Sequence, residues 1–291
     1  MKKKLLNISN KIDRLNLEVL TTTKEVADKL NIDFFIVGAS VRDFILNYIY
    51  NIKIYRATND IDFAISLKNW NEYNLLVKEI EKVGFIKSEN ILHRYSYKGM
   101  IIDFIPFGAI TNSRETIEWQ DEDKKEMNVI GFEDAYRNAE EIIIQNDPEI
   151  IIKAASVESL VMLKIFAWND RSAEQKIKDA KDLCLIITTY LEAGNRERLY
   201  EEHSDIFNKV DDYEIGGARL LGRDISNIAG SNVLQRLYEI LKDDKLKTLA
   251  KDMTKFEGLH LDDEDTKTEK CIELLLSLLN GLEDYQTPKY I

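Results

Sequence analysis

Two aspartates separated by one apolar residue, in Asn59-Asp60-Ile61-Asp62-Phe63, sit inside a run that otherwise reads as a buried strand. In an extended chain successive side chains point to opposite faces, so Asp60 and Asp62 lie side by side while Ile61 and Phe63 face a core. Two carboxylates held that close repel each other. Such a pair is tolerated chiefly where a hard cation sits between them, and Mg²⁺ bound by a few carboxylates plus substrate phosphates is the usual case. The rest of the chain can be read as supplying what a metal-assisted phosphoryl-transfer site still needs.

Upstream, residues 10 to 30 carry apolar residues at helical spacing (Leu15, Leu17, Leu20, Val26, Leu30) and predict one or two amphipathic helices. The period then changes. Phe34-Phe35-Ile36-Val37 is a short apolar run rich in β-formers, and it stops at Gly38-Ala39-Ser40 before the helical pattern Val41-Arg42-Asp43-Phe44-Ile45-Leu46. A helix N-terminus presents unpaired backbone N–H groups to an anion, and small residues there let a phosphate approach. Ser40 reads equally as the N-cap of that helix, and Arg42 with Asp43 equally as a structural pair fixing it to the sheet.

Downstream, a helix is predicted over residues 68 to 83, closed by Gly84. Phe85-Ile86, Arg94 to Tyr97 and Met100 to Ile105 are strand-like, with Lys98-Gly99 as a hairpin turn between the last two. Asp103 interrupts that final strand. An acid in a run apolar on both faces is costly to bury unless paired or ligated, which makes it the natural third carboxylate. Residues 111 to 128 are polar and acidic and read as a solvated insertion; Ile142-Ile143-Ile144 reads as one more strand, ended by Asn146-Asp147-Pro148. From Ser156, a predicted N-cap, the helical period dominates to the end, apart from Asp262-Asp263-Glu264-Asp265, which reads as a mobile acidic segment.

The fold class expected is therefore α+β: an N-terminal domain, residues 1 to 150, built on a mixed, mostly antiparallel-edged sheet with flanking helices, and an all-helical domain, residues 151 to 291. With 291 residues, 44% of them hydrophobic, either domain can bury a core. No run approaches the roughly 20 apolar residues a membrane helix needs, and Met1-Lys2-Lys3-Lys4-Leu5-Leu6-Asn7 is too short and polar for a secretory signal, so the expected location is the cytoplasm, with no membrane partner. Cys184 and Cys271 lie in apolar helical patterns and read as buried thiols rather than a disulfide or metal pair; three scattered histidines argue against zinc. A net charge of −12 excludes a broad, non-specific grip on nucleic-acid backbone.

Nucleotidyl transfer asks a protein for positioning and charge neutralisation more than for covalent chemistry. In a two-metal arrangement three carboxylates hold two divalent ions, one activating an attacking hydroxyl and one clamping the triphosphate. Asp60, Asp62 and Asp103 are the candidate trio, with two Mg²⁺ expected and Mn²⁺ as a substitute, and Asp103 is the candidate general base. Asp103 turned away from Asp60 and Asp62, or a cation side chain plugging the gap where the ions should rest, would rule out catalysis at such a site.

Gly38-Ala39-Ser40-Val41-Arg42-Asp43, Asp60-Ile61-Asp62 and Ile102-Asp103-Phe104 together resemble the DNA polymerase β-like nucleotidyltransferase superfamily. The first two segments look like the head of bacterial CCA-adding enzymes and poly(A) polymerases, although Ala39 stands where that head has its second glycine and no Arg-Arg-Asp follows Asp103. The helix Glu158 to Lys164, then Asp170-Arg171, then Lys178-Asp179-Ala180-Lys181-Asp182-Leu183, resembles a different branch, the AbiEii-type nucleotidyltransferases, which are toxins of abortive-infection and toxin–antitoxin systems. That resemblance implies transfer of NMP from an NTP, with loss of pyrophosphate, onto RNA (tRNA 3′ ends in some toxins) or a protein hydroxyl, and an antitoxin partner. It implies that Gly38, Ala39, Ser40 and Arg42 bind nucleotide with Lys164 on the triphosphate. Lys178, Asp179 and Asp182 would line the floor of the pocket or hold its helix, the helical domain completing the cleft.

On the residues alone, Lys164 is also an ordinary surface lysine, and Lys178-Asp179 with Asp182 a solvated face with local ion pairs. The alternatives are a CCA-adding-like RNA or aminoglycoside-type small-molecule nucleotidyltransferase, and a degenerate, non-catalytic binding module. Arg198 and His203 fit the loose Arg-x4-His pattern of HEPN ribonucleases, but the acidic residues between them argue against it. Gly216 to Asp224, with Arg219 and Arg223 four residues apart, reads as touching substrate or as sealing the interface between the two domains, the interface being the favoured reading.

Overall fold

The computed structural model describes residues 5–56, 58–120, 125–208 and 210–284. The expectations that fell on residues 1–4, 121–124 and 285–291 lie outside it. The chain forms two compact units, one of residues 1–51 and 56–156, the other of 52–55 and 157–291.

The first unit is a mixed sheet with helices. Its strands are β1 Leu6–Asn7, β2 Asp33–Val37, β3 Asp60–Ser66, β4 Ile86–Lys87, β5 Arg94–Tyr97, β6 Met100–Phe107, β7 Thr116–Glu118, β8 Glu126–Asn128, β9 Glu140–Asn146 and β10 Glu149–Ala154. Eight of them make one sheet in the order β1-β9-β10-β2-β3-β6-β5-β4. The pairs β1/β9, β10/β2 and β3/β6 are parallel; the others are antiparallel. The helices are α1 Arg14–Leu30, α2 Gly38–Arg42, which continues as a wider π-type turn over Asp43–Ile49, α3 Trp70–Lys82 and α4 Phe132–Arg137.

Local chemistry sets these elements. Asp13 caps α1 by accepting from the Leu15 and Asn16 N–H groups, and the helix buries one stripe, Val19, Leu20, Thr23, Val26 and Ala27. Asn69 caps α3 in the same way, and Gly84, at φ +102°, lets the chain turn off its end. In the middle of the sheet Ile61, Phe63, Ile102 and Phe104 are fully buried, with the Phe63 and Phe104 rings stacked at 5.3 Å. Each such side chain contributes about 2 kcal/mol of burial, which anchors β3 against β6.

Three stretches differ from expectation. Residues 111–128 hold a small hairpin, β7 with β8, in which Ile117 and the following Trp119 are buried; those two apolar residues give the acidic segment a core contact. Strand β10 lies beyond the expected end of the sheet and crosses residue 150, because the β-branched run Ile150-Ile151-Ile152 pairs back on β9 and Ala154 reaches Ile36 of β2. Asp263 and Glu264 are ordered. Asp263 caps the last helix through the Thr266 N–H, since an acid at that position satisfies an orphan donor.

The second unit is helical: α5 Val157–Asp170, α6 Ala173–Thr188, a π-type turn Leu191–Asn195, α7 Arg196–Glu201, α8 Ser204–Phe207, α9 Tyr213–Ile228, α10 Ser231–Ile240, α11 Asp243–Met253 and α12 Glu264–Glu283. Helix α5 is buried on most sides, through Val157, Leu160, Val161, Met162, Ile165, Phe166 and Trp168, as an all-round apolar helix must be. Helices α9 and α12 cross at Gly222 and Gly281, where a Cβ on Gly222 would fall 2.1 Å from the Leu278 carbonyl oxygen. Arg219 and Arg223 both grip Asp284 there, and Arg223 also holds Asp205. The Gly216–Asp224 segment packs α9 against α12 within the second unit, and Asp205 of α8 with Asp284 beside α12 takes its arginine charges. Arg198 is tied bidentately to Asp224, which also accepts from Tyr190, and His203 Nδ1 lies 3.1 Å from Arg223, so both residues belong to the same packing network. Cys184 and Cys271 are free and buried, and contact with Cys271 together with burial pushes the Cys184 thiol up. Among the described residues no helix is long and apolar enough to cross a membrane.

Candidate functional site

The row of acids is built by strand register. Asp62 is the direct partner of Asp103 in the parallel β3/β6 ladder, and Asp60 lies two residues earlier on the same face, opposite Ile101. Asp60 and Asp62 are half-buried and Asp103 is buried. On the other side Asp62 faces Val37 of β2, whose next residue, Gly38, opens α2 at φ +79°. A Cβ on Gly38 would lie 1.9 Å from Asp62 Oδ2, so the carboxylate occupies the space that only a glycine leaves. The Asp60 carboxylate accepts from the Thr58 hydroxyl.

Of the remaining residues expected here, Ala39 and Ser40 lie in the first turn of α2. Val37, not Ser40, holds the N-cap position, and the Ser40 hydroxyl makes only a long 3.5 Å contact with the Val37 carbonyl oxygen. Arg42 is 1% exposed; its Nε donates to Asp43 at 2.7 Å and its guanidinium to the Arg56 carbonyl at 2.9 Å. This is the structural alternative for Arg42: it pins α2 to the segment that leads into β3.

The sequence reasoning missed Arg94. Its Nε and one terminal nitrogen donate to the two oxygens of Asp103 at 2.8 and 2.7 Å, a bidentate pair. That bond, with the fields of Asp62 and Asp60 added, holds the guanidinium above the usual arginine value. His93, stacked on Trp119, brings its Nε2 to 3.9 Å from Asp103. The signal for Arg94 was present: a two-residue turn at Lys98-Gly99 pairs Tyr97 with Met100, and counting outward pairs Arg94 with Asp103. The row across the sheet thus reads Val37, Asp62, Asp103, Arg94. Among the described residues no group of three or more His, Cys, Asp or Glu converges on one ion position. The hard carboxylate donors of Asp60 and Asp62 are of the kind that suits Mg²⁺, while both oxygens of Asp103 are engaged by the Arg94 guanidinium.

The second group of expected residues lies in the helical unit. Lys164 of α5 is buried and donates to Asp182 at 2.7 Å and to Asp179 at 3.3 Å, and half-exposed Arg171 donates to the other oxygen of Asp179 at 2.9 Å. Two acids and two bases balance in this cluster, which clamps α5 to α6. Lys178 stands exposed beside it. Lys164 is therefore no surface lysine, and Asp179 with Asp182 no solvated face; burial excludes those readings.

Comparison with known proteins bears on the whole chain. A comparison with curated proteins gives no match. Among solved structures, a solution structure of the antibiotic-resistance factor ANT(2″)-Ia matches at TM-score 0.37 and 14% identity, over 68% of this chain and 100% of that one. A CCA-adding enzyme in complex with ATP matches at TM-score 0.28 and 15% identity, over 93% of this chain and 70% of that one. At such TM-scores these likenesses carry no argument. The family described as nucleotidyl transferase AbiEii toxin, Type IV TA system, matches over residues 31–271, a span that includes both the acidic row and the Lys164 cluster. The chain belongs to the AbiEii nucleotidyltransferase toxin family.

Proposed function

We propose that this nucleotidyltransferase is Mg²⁺-dependent, moves NMP from an NTP to a hydroxyl of RNA or protein, and acts as the toxin of a pair whose antitoxin restrains it. The observation that carries the proposal is the placing of Asp62 beside Asp103 at one register, with Asp60 adjacent, in a family that transfers nucleotides. In this reading Asp60 and Asp62 are metal ligands, and Asp103 is the third carboxylate and the base toward the acceptor hydroxyl. A divalent ion held there supplies charge neutralisation for the phosphates and acidifies the attacking hydroxyl. Gly38 keeps the space that lets Asp62 stand in the row, and the first turn of α2, with its small residues, offers backbone N–H groups to a phosphate. The Arg94–Asp103 pair favours the second reading, a nucleotidyltransferase fold that binds without transferring.

One experiment separates them. The purified chain is incubated with each α-labelled NTP, Mg²⁺ and total RNA. Label on RNA or on the chain itself, lost in Asp60→Ala and Asp62→Ala, supports transfer; label unchanged in both variants refutes the assigned site, and NTP binding without label in the wild type supports the binding module. Growth arrest on expression, relieved by the product of a neighbouring gene, tests the toxin reading.

A further inference from the structure

We propose that Arg94 is a positioning residue for the acidic row: the resident counter-ion of Asp103, which a divalent cation must displace before Asp103 joins Asp60 and Asp62 as a ligand. The inference rests on the metal reading above and deepens it.

The backbone leaves Arg94 little choice of place. Lys98 and Gly99 both adopt positive φ, 49° and 88°, which sets a tight hairpin and fixes the pairing that puts Arg94 opposite Asp103 on the face that carries Asp62. The planar guanidinium covers both Asp103 oxygens, a match that a point charge would not make. The two partners differ in freedom. The Arg94 side chain is 34% exposed and can swing into solvent, whereas that of Asp103 is 8% exposed and stays where β6 puts it. The row carries three acids and so attracts a cation, yet an ion on Asp103 meets the like charge of the guanidinium until Arg94 swings aside.

The test is Mn²⁺ binding, followed by electron paramagnetic resonance on the full chain stripped with chelator, for wild type, Arg94→Gln, Asp103→Asn, Asp62→Asn and the Arg94→Gln/Asp103→Asn double variant. Arg94→Gln should bind Mn²⁺ about tenfold more tightly, the effect of removing one like charge at close range, and the gain should vanish in the Asp103→Asn background. As a second readout, Mn²⁺ should raise the melting temperature of Arg94→Gln more than that of wild type. If Arg94→Gln does not fold, Arg94→Lys carries the same test, since lysine leaves one Asp103 oxygen uncovered and should also bind more tightly. Affinity unchanged or weakened, or a gain that persists undiminished without Asp103, overturns the proposal. Mn²⁺ bound by wild type, lost in Asp62→Asn and indifferent to Arg94 overturns this inference alone; no Mn²⁺ binding in any variant overturns the metal reading with it.

Discussion

Gly38 and Gly99 make a matched pair for testing how the acidic row is held. Both have positive φ, +79° and +88°, so alanine at either pays the left-handed penalty of about 1–2 kcal/mol. They differ in surroundings. Nothing lies within 4 Å of a Cβ on Gly99, whereas a Cβ on Gly38 lies 1.9 Å from Asp62 Oδ2 and 2.9 Å from its Cγ. A gap that short cannot be relieved by a small shift: Asp62 must leave its rotamer, or α2 must move off the sheet. Such repacking adds about 1–3 kcal/mol. With roughly 2–4 °C per kcal/mol for a unit of this size, Gly99→Ala should lower the melting temperature of the sheet unit by about 2–8 °C and Gly38→Ala by about twice that. The assay is thermal unfolding by circular dichroism, with Mn²⁺ titration beside it. Gly99→Ala should hold Mn²⁺ like wild type and Gly38→Ala should not. Equal melting losses, together with equal Mn²⁺ affinity, would refute the claim that Gly38 exists to make room for Asp62.

Lys164→Ala leaves buried Asp182 without its ammonium partner and should cost the helical unit about 3 kcal/mol, read as a lowered urea midpoint. Gly222→Ala drives a methyl into the backbone of α12, so it should cost at least about 2 kcal/mol and bring early melting of the helical unit; a wild-type melt would show that the α9/α12 crossing can spread freely. Burial and the Arg223 charge depress His203 below the ordinary imidazole value of 6.5, so the unfolded chain takes up that proton first. The stability it contributes is complete above that pH and is lost as pH falls below it. His203→Gln should flatten the fall in melting temperature between pH 6.5 and the depressed value, and an unaltered slope would exclude the histidine as its source.

Much of the site was legible in the chain because β-structure repeats every two residues. Alternation alone put Asp60 and Asp62 on one face, and the two-residue turn at Lys98-Gly99 carried enough information to pair Arg94 with Asp103. What lay beyond local periodicity was which strand stands beside which. The parallel β3/β6 register that sets Asp62 against Asp103, and the reach of β10 to β2, are long-range pairings with no turn to count from. Burial was equally hidden. Arg42 and Lys164, which the resemblance assigns to the nucleotide, are both buried, Arg42 against its neighbour Asp43 and Lys164 against Asp179 and Asp182 of the following helix. The sequence by itself determined most of the elements and put Asp60 and Asp62 on one face, since those follow from residues next to one another. Only the tertiary structure decided which acids stand on neighbouring strands and which charges are buried, because both depend on remote segments that packing brings together.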